Sequence, residues 1–167
     1  MPLEIRTAAT TDAPQWVEIY RPYIETASSF EMEAPSVEDF AGRIERSLAQ
    51  WTWLVAEVDG RAVGYAYGLA HRAREAYKYS VETSVYVDAA YHRGGVARAL
   101  YTELFERLKS LGYANAYAGI TLPNDASVGF HESFGFQPIG VFPRVGCKFG
   151  QWHDVAWLYR PISDVSE

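Results

Sequence analysis

The amino-acid sequence predicts an α/β (α+β) fold with a mixed, mostly antiparallel sheet of six to seven strands, about four flanking helices and a central β-α-β unit. The 167 residues are 49% hydrophobic, 15% aromatic and 22% charged, which is typical of a folded globular protein. An Asp-Gly dipeptide joins two strand-like runs, and further along a strand, a glycine turn and an amphipathic helix follow one another. The length suits one domain, so we treat residues 1–167 as a single domain.

The first part of the chain predicts a strand followed by two helices. Residues 3–6 form a short strand-like run. A helix follows, because apolar residues recur at three- and four-residue spacing after a group of polar residues that can cap it. The candidate N-caps are Thr10, Thr11 and Asp12. After a loop at residues 27–35, Ser36 and Asp39 resemble a capping box that begins a second helix.

A β-hairpin and a third strand come next. Residues 51–58 and 62–69 flank Asp59-Gly60, a dipeptide that accepts the positive φ values of a tight hairpin turn. Residues 71–79 are basic and irregular, and residues 81–87 form a β-branched strand-like run.

The remaining chain predicts alternating elements. They are a helix from Val96 to a C-cap at Gly112, a strand at residues 116–122, a short helix capped by Asn124 or Asp125, and strands near residues 137–145 and 155–159. Because hairpins dominate the first half and a β-α-β unit lies in the middle, the sheet should be mixed.

Composition restricts the function classes. The net charge of −6 argues against a nucleic-acid binder, so any anion site must be local. Cys147 is the only cysteine, which favours a cytoplasmic protein without an internal disulfide. The four histidines lack metal-ligand spacing, so we expect no metal, and no apolar run is long enough for a membrane span.

The two adjacent glycines between the third strand and the helix suggest an anion site. A helix N-terminus offers unpaired N–H groups and partial positive charge, and Gly94-Gly95 would let a phosphate approach the backbone. Arg93 and Arg98 add positive charge. The pattern is neither GxGxxG nor a Walker loop. A tight strand-to-helix connection explains the glycines equally well on their own.

Several motifs in order carry a resemblance to a known family. RGGVA at residues 93–97 resembles the R/Q-x-x-G-x-G/A acetyl-CoA loop of the GNAT N-acetyltransferases, and LPNDASVGFHESFGF at residues 122–136 resembles their second motif. Within that superfamily the chain is similar to phosphinothricin and methionine-sulfone acetyltransferases, from about residue 5 to residue 158. The segments YIETASSF, WLVAEVDG, ETSVYV and KFGQWHDV carry this similarity. His92 departs from the usual Gln or Arg of the loop.

The resemblance implies a GNAT fold and acetyl-CoA as cosubstrate. The pantetheine arm would bind along a strand that splays from its neighbour, and the pyrophosphate would bind at the glycine turn. The implied coenzyme contacts are Val85, Tyr86, Val87, Arg93, Gly94, Gly95, Val96, Ala97, Arg98 and Asn124. Asn124 has a simpler explanation as a helix cap, and both roles are compatible.

Two residues are candidates for proton transfer. Glu82 lies one residue from an apolar strand face, where partial desolvation would raise its pKa and suit it to accept the proton of an ammonium. A surface salt bridge is the alternative. The resemblance places His131 where the family has the residue that protonates the coenzyme thiolate, although a structural histidine remains possible.

The resemblance implies an acceptor pocket around the basic segment at residues 71–79, just before the strand-like run at residues 81–87. Arg72 and Arg74 offer forked donors that suit phosphinate or sulfone oxygens, but a short charge run is equally typical of a solvated loop. The resemblance adds Phe30, Glu82, Thr83 and Ser84 to the pocket, although Phe30 could be a core residue. His71, His92 and His153 are expected to be surface or structural residues.

These observations predict an N-acetyltransferase that acetylates the α-amine of a small amino-acid analogue such as phosphinothricin, methionine sulfone or methionine sulfoximine. Cys147 lies outside both motifs, so transfer should be direct rather than through an acetyl-enzyme. Two alternatives stay open: another amine acceptor, such as a protein N-terminus or a metabolite, and an acyl-CoA sensor without turnover. We expect a homodimer that binds no nucleic acid and no membrane.

Overall fold

The computed structural model describes residues 2–163, and its elements follow the predicted order. They are β1 (Leu3–Thr7), α1 (Ala13–Ile24), α2 (Val37–Gln50), β2 (Trp53–Val58), β3 (Arg61–Ala70), β4 (Ser80–Val87), α3 (Val96–Ser110), β5 (Asn115–Thr121), α4 (Asp125–Ser133), β6 (Gln137–Lys148) and β7 (Gln151–Pro161). Short 3₁₀ turns occupy Thr10–Asp12, Glu75–Tyr77 and Ala89–Tyr91.

The seven strands form one sheet in the order β1-β2-β3-β4-β5-β7-β6. All neighbours are antiparallel except β4 and β5, which are parallel and connected through α3. The predicted β2–β3 hairpin is confirmed, with positive φ at Asp59 and Gly60. The predicted mixed, mostly antiparallel sheet and its central β-α-β unit are therefore confirmed.

Two hydrophobic cores cover the two faces of the sheet. One core packs α3 against the central strands through residues such as Leu100, Tyr101, Leu104 and Leu108. The other packs α1 and α2 against β2 and β3 through aromatic side chains. Its members include Trp16, Tyr20, Phe40, Trp53 and Tyr65. Both faces of β4 are thus held by packed helices, which gives the strand a rigid setting.

The end of the sheet differs from the sequence prediction. β6 and β7 extend well beyond the predicted 137–145 and 155–159, and they meet at a tight turn in which Phe149 and Gly150 have positive φ. Most of β6 is exposed, so its residues show no burial alternation that periodicity could detect. The conspicuous segment KFGQWHDV contains this hairpin turn.

Asp12 does not cap α1 as the sequence suggested. Its carboxylate accepts hydrogen bonds from the Arg6 guanidinium and from the Ala9 N–H instead, and among residues 2–163 no side chain caps the first turn of α1. The Arg6 contact also holds the pKa of Asp12 below its ordinary value against the effect of burial. A search of residues 2–163 for a helix long and apolar enough to cross a membrane finds none.

Candidate active site

The two parallel strands at the centre of the sheet diverge. Their ladder has three pairs and ends where Glu82 lies opposite Tyr117. A cavity of about 520 Å³ is lined by residues 83–87 of β4 and 118–121 of β5, together with the first turns of α3 and α4. The splay that the resemblance implied is therefore present, and Glu82 stands at its fork.

The glycine turn before α3 lines the same cavity. Arg93 and Gly95 have φ values of 67° and 81°, and Gly95 occupies the N-cap position of α3. No side chain within residues 2–163 caps this helix. Its leading N–H groups can therefore bind an anion. The positive φ favours glycine at position 95. The same residue therefore suits both explanations of the glycines, the tight connection from β4 to α3 and the anion site.

His92 connects the start of this turn to the end of β4. Its Nε2 lies 3.0 Å from the carbonyl oxygen of Val87 and 3.0 Å from the hydroxyl of Tyr23. The Tyr23 hydroxyl donates to the same carbonyl at 2.6 Å. His92 therefore has a structural contact at the loop position where the resembled enzymes have Gln or Arg.

Two predicted coenzyme contacts are engaged with α4. The Arg98 guanidinium donates to Ser133 Oγ at 2.8 Å and lies over the Phe134 ring, so it connects α3 to α4. Asn124 Oδ1 accepts a hydrogen bond from the Ser127 N–H at 3.2 Å, which confirms the predicted cap of α4. The amide NH₂ of Asn124 remains for a ligand in the cavity that it lines.

The cavity contains a buried polar atom that suits a coenzyme. Thr83 is 4% exposed, and its Oγ1 has no hydrogen-bond partner within residues 2–163. A buried polar group without a partner costs about 1–3 kcal/mol, which a polar ligand would offset. Acetyl-CoA offers amide groups in its pantetheine arm and a pyrophosphate for the turn before α3. The residues present therefore fit acetyl-CoA.

Glu82 has nitrogen-bearing neighbours on one side of its carboxylate. His71 Nδ1 lies 3.1 Å from Glu82 Oε2, and a guanidinium nitrogen of Arg72 lies 3.4 Å from the same oxygen. The Glu82 side chain is 30% exposed. Burial raises the pKa of Glu82 above its ordinary value, while His71 and Arg72 act in the opposite direction. The expected rise is confirmed, and a partly desolvated ion pair is present with it.

His131 is buried and has hydrogen bonds at both ring nitrogens. Nδ1 lies 2.8 Å from the Ser127 carbonyl oxygen, so it must carry a proton, and Nε2 lies 3.0 Å from the Tyr101 hydroxyl. This network assigns the neutral ring as an acceptor at Nε2. Burial also lowers the pKa of His131. A role as acid would therefore require the doubly protonated ring, and that role stays a prediction.

The two arginines of the basic segment before β4 have different surroundings. Arg72 donates to the His71 carbonyl at 2.8 Å and reaches Glu82, whereas Arg74 is exposed at the N-terminus of a short 3₁₀ turn. Ser84 is half-buried and lines the cavity beside Thr83. The structure thus brings Arg72, Glu82 and Ser84 to the fork and leaves Arg74 at the surface.

The loop after α1 is fastened to the β6–β7 hairpin. The buried ammonium of Lys148 donates to the carbonyl oxygens of Ile24 at 2.6 Å, Thr26 at 2.8 Å and Ser29 at 2.6 Å. Phe30 packs so closely on Gly146 that a Cβ there would clash with its ring. Phe30 therefore contacts the hairpin and is 40% exposed, and its place in an acceptor pocket stays a prediction.

Sequence reasoning did not find His71, Tyr101 or Lys148. His71 was expected to be a surface or structural residue; its side chain is 18% exposed, and its contact with the candidate base was not predicted. Hydrogen-bond partners across a fold leave no spacing signal, although pairing of residues 62–69 with 81–87 as adjacent strands would have brought His71 near Glu82. Within residues 2–163 no group of three potential metal ligands is present.

Comparisons with known proteins agree with this geometry. Residues 5–157 match the acetyltransferase (GNAT) domain family. A phosphinothricin N-acetyltransferase of Streptomyces viridochromogenes is 38% identical over 95% of this chain and 87% of its own length. An L-methionine sulfoximine/L-methionine sulfone acetyltransferase of Salmonella typhimurium is 32% identical over 97% of this chain and 96% of its own length.

Solved structures show the same fold. A GNAT superfamily phosphinothricin acetyltransferase from Sinorhizobium meliloti, in complex with AcCoA, superposes with a TM-score of 0.93 and 31% identity, covering 99% of this chain and 91% of that one. The chain therefore belongs to the GNAT acetyltransferase family, which confirms the fold, the acyltransferase class and the acetyl-CoA cosubstrate predicted from its sequence.

Proposed function

We propose that the protein transfers the acetyl group of acetyl-CoA to the α-amine of a small amino-acid analogue that carries a phosphinate, sulfone or sulfoximine group. The observation that carries this proposal is the place of Glu82 at the fork between β4 and β5, directly before Thr83, the first β4 residue that lines the coenzyme cavity. The names of the relatives support the choice of acceptor.

Transfer proceeds directly between the two bound substrates. Glu82 takes a proton from the substrate ammonium, and the free amine nitrogen forms a bond to the thioester carbonyl carbon. Addition places the carbonyl electrons on oxygen, and the carbon–sulfur bond breaks as the carbonyl re-forms. The second proton of the nitrogen passes to solvent water, and the coenzyme leaves as a thiolate that takes a proton from the His131 imidazolium. A carboxylate whose pKa is raised by burial is a stronger base for the first step than an ordinary surface carboxylate.

We assign protonation of the thiolate to His131, which lines the cavity. Because its neutral ring has no proton at Nε2, only the imidazolium form can act. Arg72 is the candidate contact for the acceptor's anionic oxygens, because it lies at the fork beside Glu82, whereas Arg74 and Phe30 would close the pocket from its edges.

A homodimer is part of this proposal. Several large apolar side chains of the terminal hairpin are exposed, and exposed apolar side chains in such number are typical of a protein–protein interface. They are Ile139, Val141, Phe142, Val145, Phe149 and Trp152. Light scattering should give twice the chain mass of 18.8 kDa, and a monomer at micromolar concentration would contradict it. The single cysteine supports a cytoplasmic location.

The test is release of free thiol with a panel of amines. Phosphinothricin and methionine sulfone or sulfoximine should react faster than a peptide N-terminus or simple metabolite amines. Glu82→Gln should lower the rate about 10²- to 10⁴-fold, with partial recovery as pH rises and free amine accumulates. Acetyl-CoA affinity should not change. Near-normal Glu82→Gln activity across the pH range would place the base elsewhere.

A further inference from the structure

The side chain of His71 is clamped beside the candidate base by aromatic rings from three elements. Its ring stacks on Tyr117 of β5, with centroids 4.8 Å apart and an interplanar angle of 23°. The rings of Tyr77 and Trp157 meet it edge-on at 5.8 and 6.4 Å. An imidazole held in this way has one orientation, with Nδ1 directed at Glu82.

The contacts of Glu82 are concentrated on one oxygen. Both His71 Nδ1 and the Arg72 guanidinium reach Oε2, at 3.1 and 3.4 Å. Oε1 has no hydrogen-bond partner or salt bridge within residues 2–163. The carboxylate therefore has one oxygen that is held and one that is available to accept a proton.

We propose that His71 is a positioning residue for Glu82: its Nδ1–H holds Oε2, so that the carboxylate stays anionic and presents Oε1 to the acceptor amine. This inference deepens the proposed function and rests on it, because it needs Glu82 to be the base. A hydrogen bond to a charged group in a partly buried site stabilises the charge more than the same bond in water would.

The other groups around Glu82 do not supply this effect as well. Arg72 approaches the same oxygen at a longer distance, and its side chain is 49% exposed, so solvent weakens its field. Tyr117, paired with Glu82 across the ladder, has its pKa raised by burial and stays neutral. Tyr159 lies behind Tyr117, and Tyr77 faces the His71 ring. His71 is thus the nearest donor to the carboxylate.

Two substitutions separate the hydrogen bond from the shape of the ring. His71→Phe keeps an aromatic ring for the stack on Tyr117 but removes the donor. His71→Asn places an amide N–H near the position of Nδ1, although it cannot titrate. The measurement is kcat/KM for the acceptor against pH, with acetyl-CoA saturating and each variant shown to be folded by circular dichroism.

For His71→Phe we expect kcat/KM at about pH 7 to fall roughly 10- to 100-fold, as expected for one lost charged hydrogen bond. The acidic limb of the profile should move upward by about one pH unit, because a carboxylate without its donor protonates more easily. His71→Asn should recover most of the rate and return the limb toward its original position. The KM for acetyl-CoA should not change in either variant.

An unchanged acidic limb in His71→Phe would overturn the inference, as would a His71→Asn variant that is as slow as His71→Phe. The Glu82→Gln variant, measured in parallel, separates these failures from failure of the proposed function. If Glu82→Gln is inactive while His71→Phe behaves as the unmodified protein, His71 has no positioning role and Glu82 remains the base. If Glu82→Gln is active, both proposals fail.

Discussion

Replacement of Lys148 by methionine should destabilise the protein strongly. Within residues 2–163, its ammonium is the only side-chain donor to three carbonyl groups at the end of α1 and in the loop that follows. Lys148 is 2% exposed and contacts Ile24, Thr26 and Ser29. Ile24 is the last residue of α1, where the helix leaves carbonyl groups unpaired and carries partial negative charge. Methionine has a similar length but cannot donate a hydrogen bond.

The magnitude follows from two opposing contributions. Each buried carbonyl that loses its donor is expected to cost about 1–3 kcal/mol, and the sum over three carbonyls is an upper limit. Removal of the buried ammonium also removes its desolvation cost, which offsets part of this loss. We therefore expect the free energy of unfolding to fall by about 3–5 kcal/mol, which lies below the upper limit for three unpaired carbonyls. For a chain of this size Tm should fall by roughly 6–20 °C.

The assay is equilibrium unfolding in urea, with the midpoint and the slope m fitted separately for each variant. Lys78→Met is the matched control, because Lys78 is exposed and its ammonium makes only surface contacts, with Glu75 at 3.6 Å and with the Tyr79 ring at 5.3 Å. Its effect should stay within about 0.5 kcal/mol. If the free energy of unfolding falls by less than about 1 kcal/mol in Lys148→Met, with m unchanged, the reasoning is refuted. The carbonyl groups would then be hydrated and would not depend on the ammonium.

Two further predictions concern the coenzyme side of the site. Gly95→Glu should weaken acetyl-CoA binding severely in calorimetry, because it places an anion at the predicted phosphate site. Gly95→Lys imposes the same positive-φ strain with the opposite charge, so it should bind acetyl-CoA more tightly than Gly95→Glu does. Equal losses of affinity in the two variants would assign the effect to strain alone. If His131 is the acid, kcat should begin to fall below roughly pH 6.5 and keep falling as pH rises, since burial lowers the pKa of His131 and the imidazolium disappears with rising pH. His131→Asn should lose that dependence, and a wild-type kcat that stays flat between about pH 6 and 9 would contradict the assignment.

The sequence predicts the order of the elements because each is specified by short-range signals. The Asp59-Gly60 turn, the Ser36 cap and the apolar stripe of α3 each act over a few residues, and all three are present in the structure. The glycine turn before α3 was predictable for the same reason: Gly94 and Gly95 lie between a strand and a helix start, a local arrangement that can bind an anion.

The parts that sequence reasoning missed depend on contacts between distant residues. Lys148 contacts a loop 119–124 positions earlier in the chain, and a lysine near the C-terminus gives no sign that it is buried. The contacts of His71 were not predicted, because the rings that cover its imidazole come from β5, β7 and a 3₁₀ turn. The splay of β4 from β5 leaves no periodic signal, since both strands keep strand geometry on each side of the fork.

The position of Glu82 explains why opposing influences meet on one carboxylate. A base must be anionic to accept a proton, yet a carboxylate with an ordinary pKa is a weak base toward an ammonium group. Burial at the fork strengthens the base by raising its pKa, while His71 and Arg72 on Oε2 limit that rise. Because both contacts use Oε2, the proposed mechanism assigns proton transfer to Oε1. Control of protonation and the site of proton transfer would then be separated within a single side chain.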